Sequence, residues 1–196
     1  MEKLLKNGLK IDTFDKNNDE TLLMYAARTG NLSLTKFIQR KKASIDLLNW
    51  HGENAFLVAA RYGNFEIMDF LTFNGSSWNS RDSRGANALH FVTLDRNYDL
   101  IWRLVEKGIK INSKDLEGKT ALNYAIAAGD MDTVTMLVQL GAELNTIDKN
   151  GMSPAAWAEQ LNHFDIHDKL IIMGGENIKP KEFESTADIL SETQGD

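Results

Sequence analysis

The stretch DLEGKTALNYAIAAGDMDTVTMLVQLGAELN, Asp115–Asn145, decides the fold. It holds glycines at 118, 129 and 141 and no proline. Thr120 stands just before an apolar run, where a hydroxyl can accept from a free N–H of a first helical turn. This predicts a helix over TALNYAIAA that stops at Gly129, because helix ends favour a residue in the left-handed region. A second helix is predicted over DMDTVTMLVQL, with Val134, Leu137 and Val138 at i, i+3, i+4 spacing. It stops at Gly141. The Asp-Lys-Asn-Gly that follows at 148–151 is a tight-turn sequence. The module is therefore helix, turn, helix, then a projecting loop.

Stepping along the chain by 33 residues shows that the module recurs. Gly52, Gly85, Gly118 and Gly151 share one column, and Gly75, Gly108, Gly141 and Gly174 another. Gly30, Gly63 and Gly129 share a third, with Arg96 and Asn162 in its gaps. Thr21, Asn54, Asn87, Thr120 and Ser153 form a polar column ahead of each apolar run. Ile38, Leu71, Leu104, Leu137 and Leu170 form a wholly apolar one. Asp82, Asp115 and Asp148 align at the start of the loop tips.

These residues resemble the ankyrin repeat, whose pattern reads roughly D-x-x-G-x-T-P-L-H-x-A-A-x-x-G, an apolar helix, then L-L-x-x-G-A-x-x-N. DLEGKTALNYAIAAG with MLVQLGAELN fits it closely, DSRGANALHFV keeps the Leu89-His90 pair, and DKNGMSPAAWA keeps Pro154. The resemblance implies an all-α repeat solenoid of stacked helix-turn-helix units with projecting β-hairpin-like loops. Five units are expected over 15–175, at 15–48, 49–81, 82–114, 115–147 and 148–175. The family pattern also implies that His90 bonds loop backbone and is structural.

The first unit is worn, with Asp19 at a loop-glycine position and Lys42 at a helix-ending one. Before it, residues 1–14 read as the end of another unit, LLKNGLKID, comparable with LVEKGIKIN at 104–112. A stack that opens in mid-unit leaves an apolar face. Further repeats upstream, a removed leader, or a one-helix N-terminal cap would each account for it. In DIHDKLIIMGG, polar residues Asp165, His167 and Lys169 suit a unit facing water at the end of a stack. From 176 to 196 six acids stand against Lys179 and Lys181, which is −4 of the net −6, so the repeats are nearly neutral. This acidic tail is expected to be a solvated end, with FESTADIL as a candidate short helix.

The remaining chemistry is mostly exclusion. A pI near 5.3 disfavours a general nucleic-acid binder, which needs a basic face. No apolar run reaches transmembrane length, so no membrane insertion is expected. With no cysteine, disulfides, thiolate nucleophiles and Cys-based zinc sites are excluded. His163 and His167 stand at i, i+4 spacing with Asp165 and Asp168 nearby, a spacing that can hold a metal, but a fourth ligand is not placed. No metal, cofactor or catalytic set is expected, and the chain reads as a non-enzyme. NLS at 31–33 and NGS at 74–76 match a glycosylation acceptor but fall at helix boundaries. The compartment is open: cytoplasmic follows from the family resemblance, periplasmic or secreted if a leader was removed.

A stacked array offers one concave surface, built from loop tips and the exposed side of each first helix. The slots that face it are Trp50, His51, Arg61, Tyr62, Arg84, Leu94, Leu116 and Glu117, and these are the candidate protein-binding residues. Trp, Tyr and Arg dominate binding hot spots. Trp78 shares a column with Ile45, Ile111 and Leu144 and is expected in the core. Trp157 aligns with Tyr25, Val58, Phe91 and Tyr124 and is expected to pack between repeats, while Trp102 falls in an exposed slot of a second helix. The expected partner is another protein, bound by a chain monomeric on its own. Two functions compete: a self-contained binder that occludes its partner, an enzyme among the candidates, and an adaptor segment of a larger protein.

Overall fold

The computed structural model describes residues 10–15 and 19–180. Most of the partial unit at 1–14 and the tail beyond 180 lie outside these residues. Ten helices are present among the described residues, in five pairs. The first helices are α1 (Leu22–Arg28), α3 (Ala55–Arg61), α5 (Ala88–Leu94), α7 (Ala121–Ala127) and α9 (Pro154–Gln160). The second are α2 (Leu32–Arg40), α4 (Phe65–Phe73), α6 (Tyr98–Glu106), α8 (Met131–Gln139) and α10 (Phe164–Ile172). Each first helix packs on its own partner and on the first helix of the next pair, giving a single row. The all-α solenoid predicted from the 33-residue columns is the fold observed.

The polar column starts the first helices. Thr21 Oγ1 accepts from Met24 N at 3.2 Å, Asn54 Oδ1 from Leu57 N at 3.0 Å, and Ser153 Oγ from Ala156 N at 3.2 Å. Pro154 follows Ser153 at a helix start, where its missing N–H costs nothing. The helices end where the glycine columns predict. Non-glycine residues that interrupt or replace those glycines still take the left-handed conformation: Asp19, Lys42, Arg96 and Asn162 have φ of 50, 60, 54 and 61°. The worn positions thus keep the backbone of the pattern and carry its strain.

The first helices have seven residues, the second nine. Every residue from Ala55 to Ala60 is buried, and Ala26, Ala59, Ala125 and Ala158 are fully so. Such short, alanine-rich helices draw the first row together while longer side chains fill the second. The side facing the loops is left hollow. The core runs through the stack as one cluster, from Leu23 and Met24 through Phe56, Leu71, Leu104 and Leu122 to Leu170. Trp78 packs on it edge-to-face with Phe56 at 5.4 Å and tilted against Phe65 at 6.3 Å.

Each loop closes by one backbone bond across its base: Asn49 N to Glu53 O, Asp82 N to Ala86 O, Asp115 N to Lys119 O, and Asp148 N to Met152 O, at 2.9–3.2 Å. The aligned Asn or Asp then turns the tip. Asp115 Oδ1 accepts from Glu117 N and Lys119 N, each at 2.8 Å, and Asn49, Asp82 and Asp148 repeat the arrangement. Successive tips are joined in register by Ser83 N to His51 O, Leu116 N to Arg84 O and Lys149 N to Glu117 O, at 2.8–2.9 Å. The hairpins are too short to form strands among the described residues.

His90 is buried, and its two ring nitrogens meet Asn87 N at 3.2 Å and Lys119 O, in the next tip, at 3.2 Å. It ties one unit to the next, as the family pattern implied. Burial lowers its pKa from the ordinary 6.5. Above 6.5 both folded and unfolded chains hold it neutral. As pH falls below 6.5, the unfolded chain takes up a proton that the folded chain refuses, so stability falls until the lowered folded value is passed. Asn123 fills the same column and accepts from Thr120 N at 3.0 Å, which makes Asn a fitting replacement. His90→Asn should therefore lose less stability than the parent between pH 7.5 and about pH 5 in urea unfolding. Equal acid sensitivity of the two chains would reject this role.

Candidate protein-binding surface

The tip ladder and the first-helix row build two adjoining hollows. The first, about 620 Å³, is lined by Glu20, Arg28, His51, Glu53, Arg61, Tyr62, Asp82 and Arg84 among others. The second, about 570 Å³, is lined by Arg84, Leu94, Leu116, Glu117, Tyr124, Ala127 and Trp157 among others. Arg84 and Ser83 belong to both. Seven of the eight candidate residues fall in these linings: His51, Arg61, Tyr62 and Arg84 in the first, and Arg84, Leu94, Leu116 and Glu117 in the second. Trp50 is not in either lining. Its side chain stands at the tip, 78% exposed, with its backbone N–H bonded to the carboxylate of Asp19.

The arginines also serve the fold. Arg61 Nε donates to Glu53 Oε1 at 3.0 Å, and its guanidinium lies 4.4 Å from the Phe91 ring centre. Glu53 is buried, so truncating Arg61 strands a carboxylate whose remaining side-chain partner is Asn49 Nδ2 at 3.2 Å. Because Arg61 is itself partly exposed, the expected loss for Arg61→Ala is about 2 kcal/mol, below that of a fully buried pair. Adding Glu53→Gln should restore part of it by removing the charge. A second substitution that deepens the loss in chemical denaturation would show that the pair is not the cause.

Arg84 is held the same way by Asp82, its Nε donating to Oδ2 at 3.1 Å. Burial works against its charge, but the hydrogen bond and charge of Asp82 raise its pKa overall. In the next two units the equivalent tip carboxylates meet aromatic donors instead. Tyr124 Oη donates to Asp115 Oδ2 at 2.9 Å and Trp157 Nε1 to Asp148 Oδ2 at 2.7 Å. Burial, then the bond to Asp115, pushes the Tyr124 pKa up to about 12, so the phenol stays neutral. Lys119 Nζ sits 4.6 Å from the Trp157 ring centre, a cation–π contact. Trp157 is thus a part-exposed lining residue as well as a packing one.

Sequence reading missed the burial of Glu53 and Asp82, the pairing of Glu20 with Arg28, and the roles of Tyr124, Lys119 and Trp157 in the second hollow. A signal was present. Glu20 and Glu53 lie one period apart, each eight residues before an arginine of the next column, Arg28 and Arg61. The two other histidines weighed as ligands are placed differently. The His163 ring lies over Gly129, and His167 Nδ1 meets Asp168 Oδ1 at 3.0 Å. Among the described residues, no three His, Cys, Asp or Glu side chains gather as a metal-binding set. None of the described helices is long and apolar enough to cross a membrane. Trp102 is about half exposed on α6 and lines neither hollow.

Stacked helix pairs, a ladder of hydrogen-bonded tips and a hollow between tips and first helices define an interaction solenoid. The family model for ankyrin repeats in three copies matches residues 1–82, 56–148 and 89–182, and the chain belongs to the ankyrin-repeat family. Members of this family are generally non-catalytic modules of protein–protein interaction. The search of curated proteins finds no match.

Proposed function

We propose that this chain binds a partner protein across the concave surface formed by its tips and first helices, centred on repeats two to four. The observation that carries this reading is the pair of contiguous hollows, flanked by exposed large side chains at Trp50, Tyr62, Leu94 and Leu116. Monomers seldom keep such side chains together in one concavity without a use for them. Occlusion is the mode of action that the geometry favours: a ligand seated in the hollows would be covered along one side by the stack. An enzyme bound this way would be inhibited.

Trp50→Ala at the rim and Tyr62→Ala in the first hollow should each weaken partner binding by about 2 kcal/mol, as aromatic anchors do. Folding stability should barely change, since both side chains are mostly in water. The measurement is affinity capture from native extract with parent and variant chains, followed by titration of the captured protein and assay of any activity it has. Unfolding of the variants with partner affinity intact would mean the two residues are structural. Variants silent in both respects would move the partner off this surface, with Trp102 the next position to test.

A further inference from the structure

The concave surface changes character along the stack. In the first two units its inner column holds ion pairs, Glu20–Arg28 and Glu53–Arg61. The equivalent positions in the next two units are Ala86–Leu94 and Lys119–Ala127. At the boundary stands the Arg84–Asp82 pair.

In all three pairs the acid lies underneath and the base on top. Side-chain exposures are 31, 39 and 63% for Arg28, Arg61 and Arg84, against 13, 4 and 1% for Glu20, Glu53 and Asp82. Each guanidinium turns its Nε inward: Arg28 to Glu20 at 2.9 and 3.1 Å, Arg61 to Glu53 at 3.0 Å, Arg84 to Asp82 at 3.1 Å. A guanidinium has five N–H donors in a planar fork. The inward bonds use only some of them and hold the group rigid, so the others face the hollow already oriented. The first hollow is nearly neutral in total charge, yet the surface a ligand meets is a row of guanidinium donors. Such forks match carboxylates.

Beyond Arg84 the surface is mostly apolar, although Glu117 and Lys119 also line it. Leu94 and Leu116 are about half exposed there, beside Ala127 and the rings of Tyr124 and Trp157. The polar atoms of both rings are taken by Asp115 and Asp148, which leaves carbon surface to the hollow.

We infer that the groove takes an extended segment of another protein carrying one or two carboxylates, and a large aliphatic or aromatic side chain about three residues away. This rests on the reading of the concave face as the binding surface. The spacing follows from the stack. Neighbouring helices pack about 10 Å apart, and an extended chain advances about 3.3 Å per residue, so about three residues span one unit. The carboxylates lie over Arg61 and Arg84, and the apolar side chain enters between Leu94 and Leu116. A basic segment is turned away by the same arginines.

The test uses the full chain, immobilised, and a display library of random dodecapeptides. Selected sequences are then made with a fluorescein label and titrated by anisotropy. Enrichment of Asp or Glu three or four positions from Leu, Ile, Phe or Met is the expected result. Arg84→Gln and Leu116→Ser should each weaken the best peptide at least tenfold, with the folded signal unchanged by circular dichroism. Replacing the peptide's acid by its amide should cost little further in the Arg84→Gln chain, because the pair is already broken. Selected peptides that are basic or lack acids, yet lose affinity with Leu116→Ser, would overturn the inference and leave the concave reading standing. Acidic–apolar peptides indifferent to both variants would overturn both, as would no enrichment. A tenfold gain in peptide affinity on changing Phe183, Ile189 and Leu190 to serine would give the groove to the chain's own tail. A dimer that the peptide dissociates would give it to a second copy. Either would overturn the assignment to another protein.

Discussion

Phe56→Ala is expected to lower folding stability by about 3–5 kcal/mol, the range for emptying a fully enclosed aromatic site. Phe56 is fully buried in α3, in the second pair of a five-pair stack, and Trp78 packs edge-on against it at 5.4 Å. Trp78 retains some exposure and has Lys107 Nζ 5.6 Å from its ring centre, so Trp78→Ala belongs at the lower end, about 3 kcal/mol. The two losses should not add. The double substitution should fall short of the sum by about 0.5–1.5 kcal/mol, the worth of an aromatic pair. Urea unfolding followed by circular dichroism measures all three. A repeat array is held by nearest-neighbour contacts, so damage in the second pair should also broaden the transition by uncoupling the first. Strict additivity would mean that the two rings do not touch in solution.

Gly52→Ala should be nearly as damaging, about 3 kcal/mol, for two separable reasons. Gly52 has φ of +73°, where an added Cβ costs about 1–2 kcal/mol. That Cβ would also lie 2.6 Å from Ser83 N, the donor that joins the second tip to the third. The neighbouring tip has to move, and its backbone is not free to do so. Gly141→Ala is the control. Its φ is +97°, but nothing lies within 4 Å of the added Cβ, so it should show the conformational cost alone. Equal losses from the two substitutions would show that tip-to-tip approach adds nothing. If the tip register does fail, amide resonances of His51 and Ser83 should shift in the Gly52 variant and stay in place in the Gly141 variant.

The surface was less legible than the fold, and Arg61 shows why. Its column position identifies a slot that faces the loops, and the structure puts it there. The same position does not show Phe91 beside it, and the Glu53 spacing does not show that the acid is buried beneath it, so an arginine that read as free for a partner is also bound into the fold. Trp50 is the reverse case: its tip position was readable, but the first hollow is lined by its neighbour His51 and not by the indole. Trp157 read as a packing residue because its column is aromatic or apolar, and its exposed edge in the second hollow depends on Asp148 holding the indole nitrogen.

The sequence by itself determined the helices, their order and their stacking. Each depends on a local feature repeated at fixed spacing: a side chain that caps a helix, a residue that takes positive φ, an apolar stripe that needs a neighbour to cover it. Repetition makes such signals additive, which is why Asp19, Lys42, Arg96 and Asn162 could lose the glycine without losing the turn. What only the tertiary structure decided is the chemistry of the concave face. That face is assembled from positions of low repetition, contributed by different units, whose side chains acquire their roles from partners in their own unit and from the units on either side. Arg84 illustrates it: Asp82 orients its guanidinium, and the hollows on either side of it are completed by Arg61 and Leu116 from the adjacent units. Charge, burial and direction at such a site are properties of the assembled stack, because they depend on distances that no single unit sets.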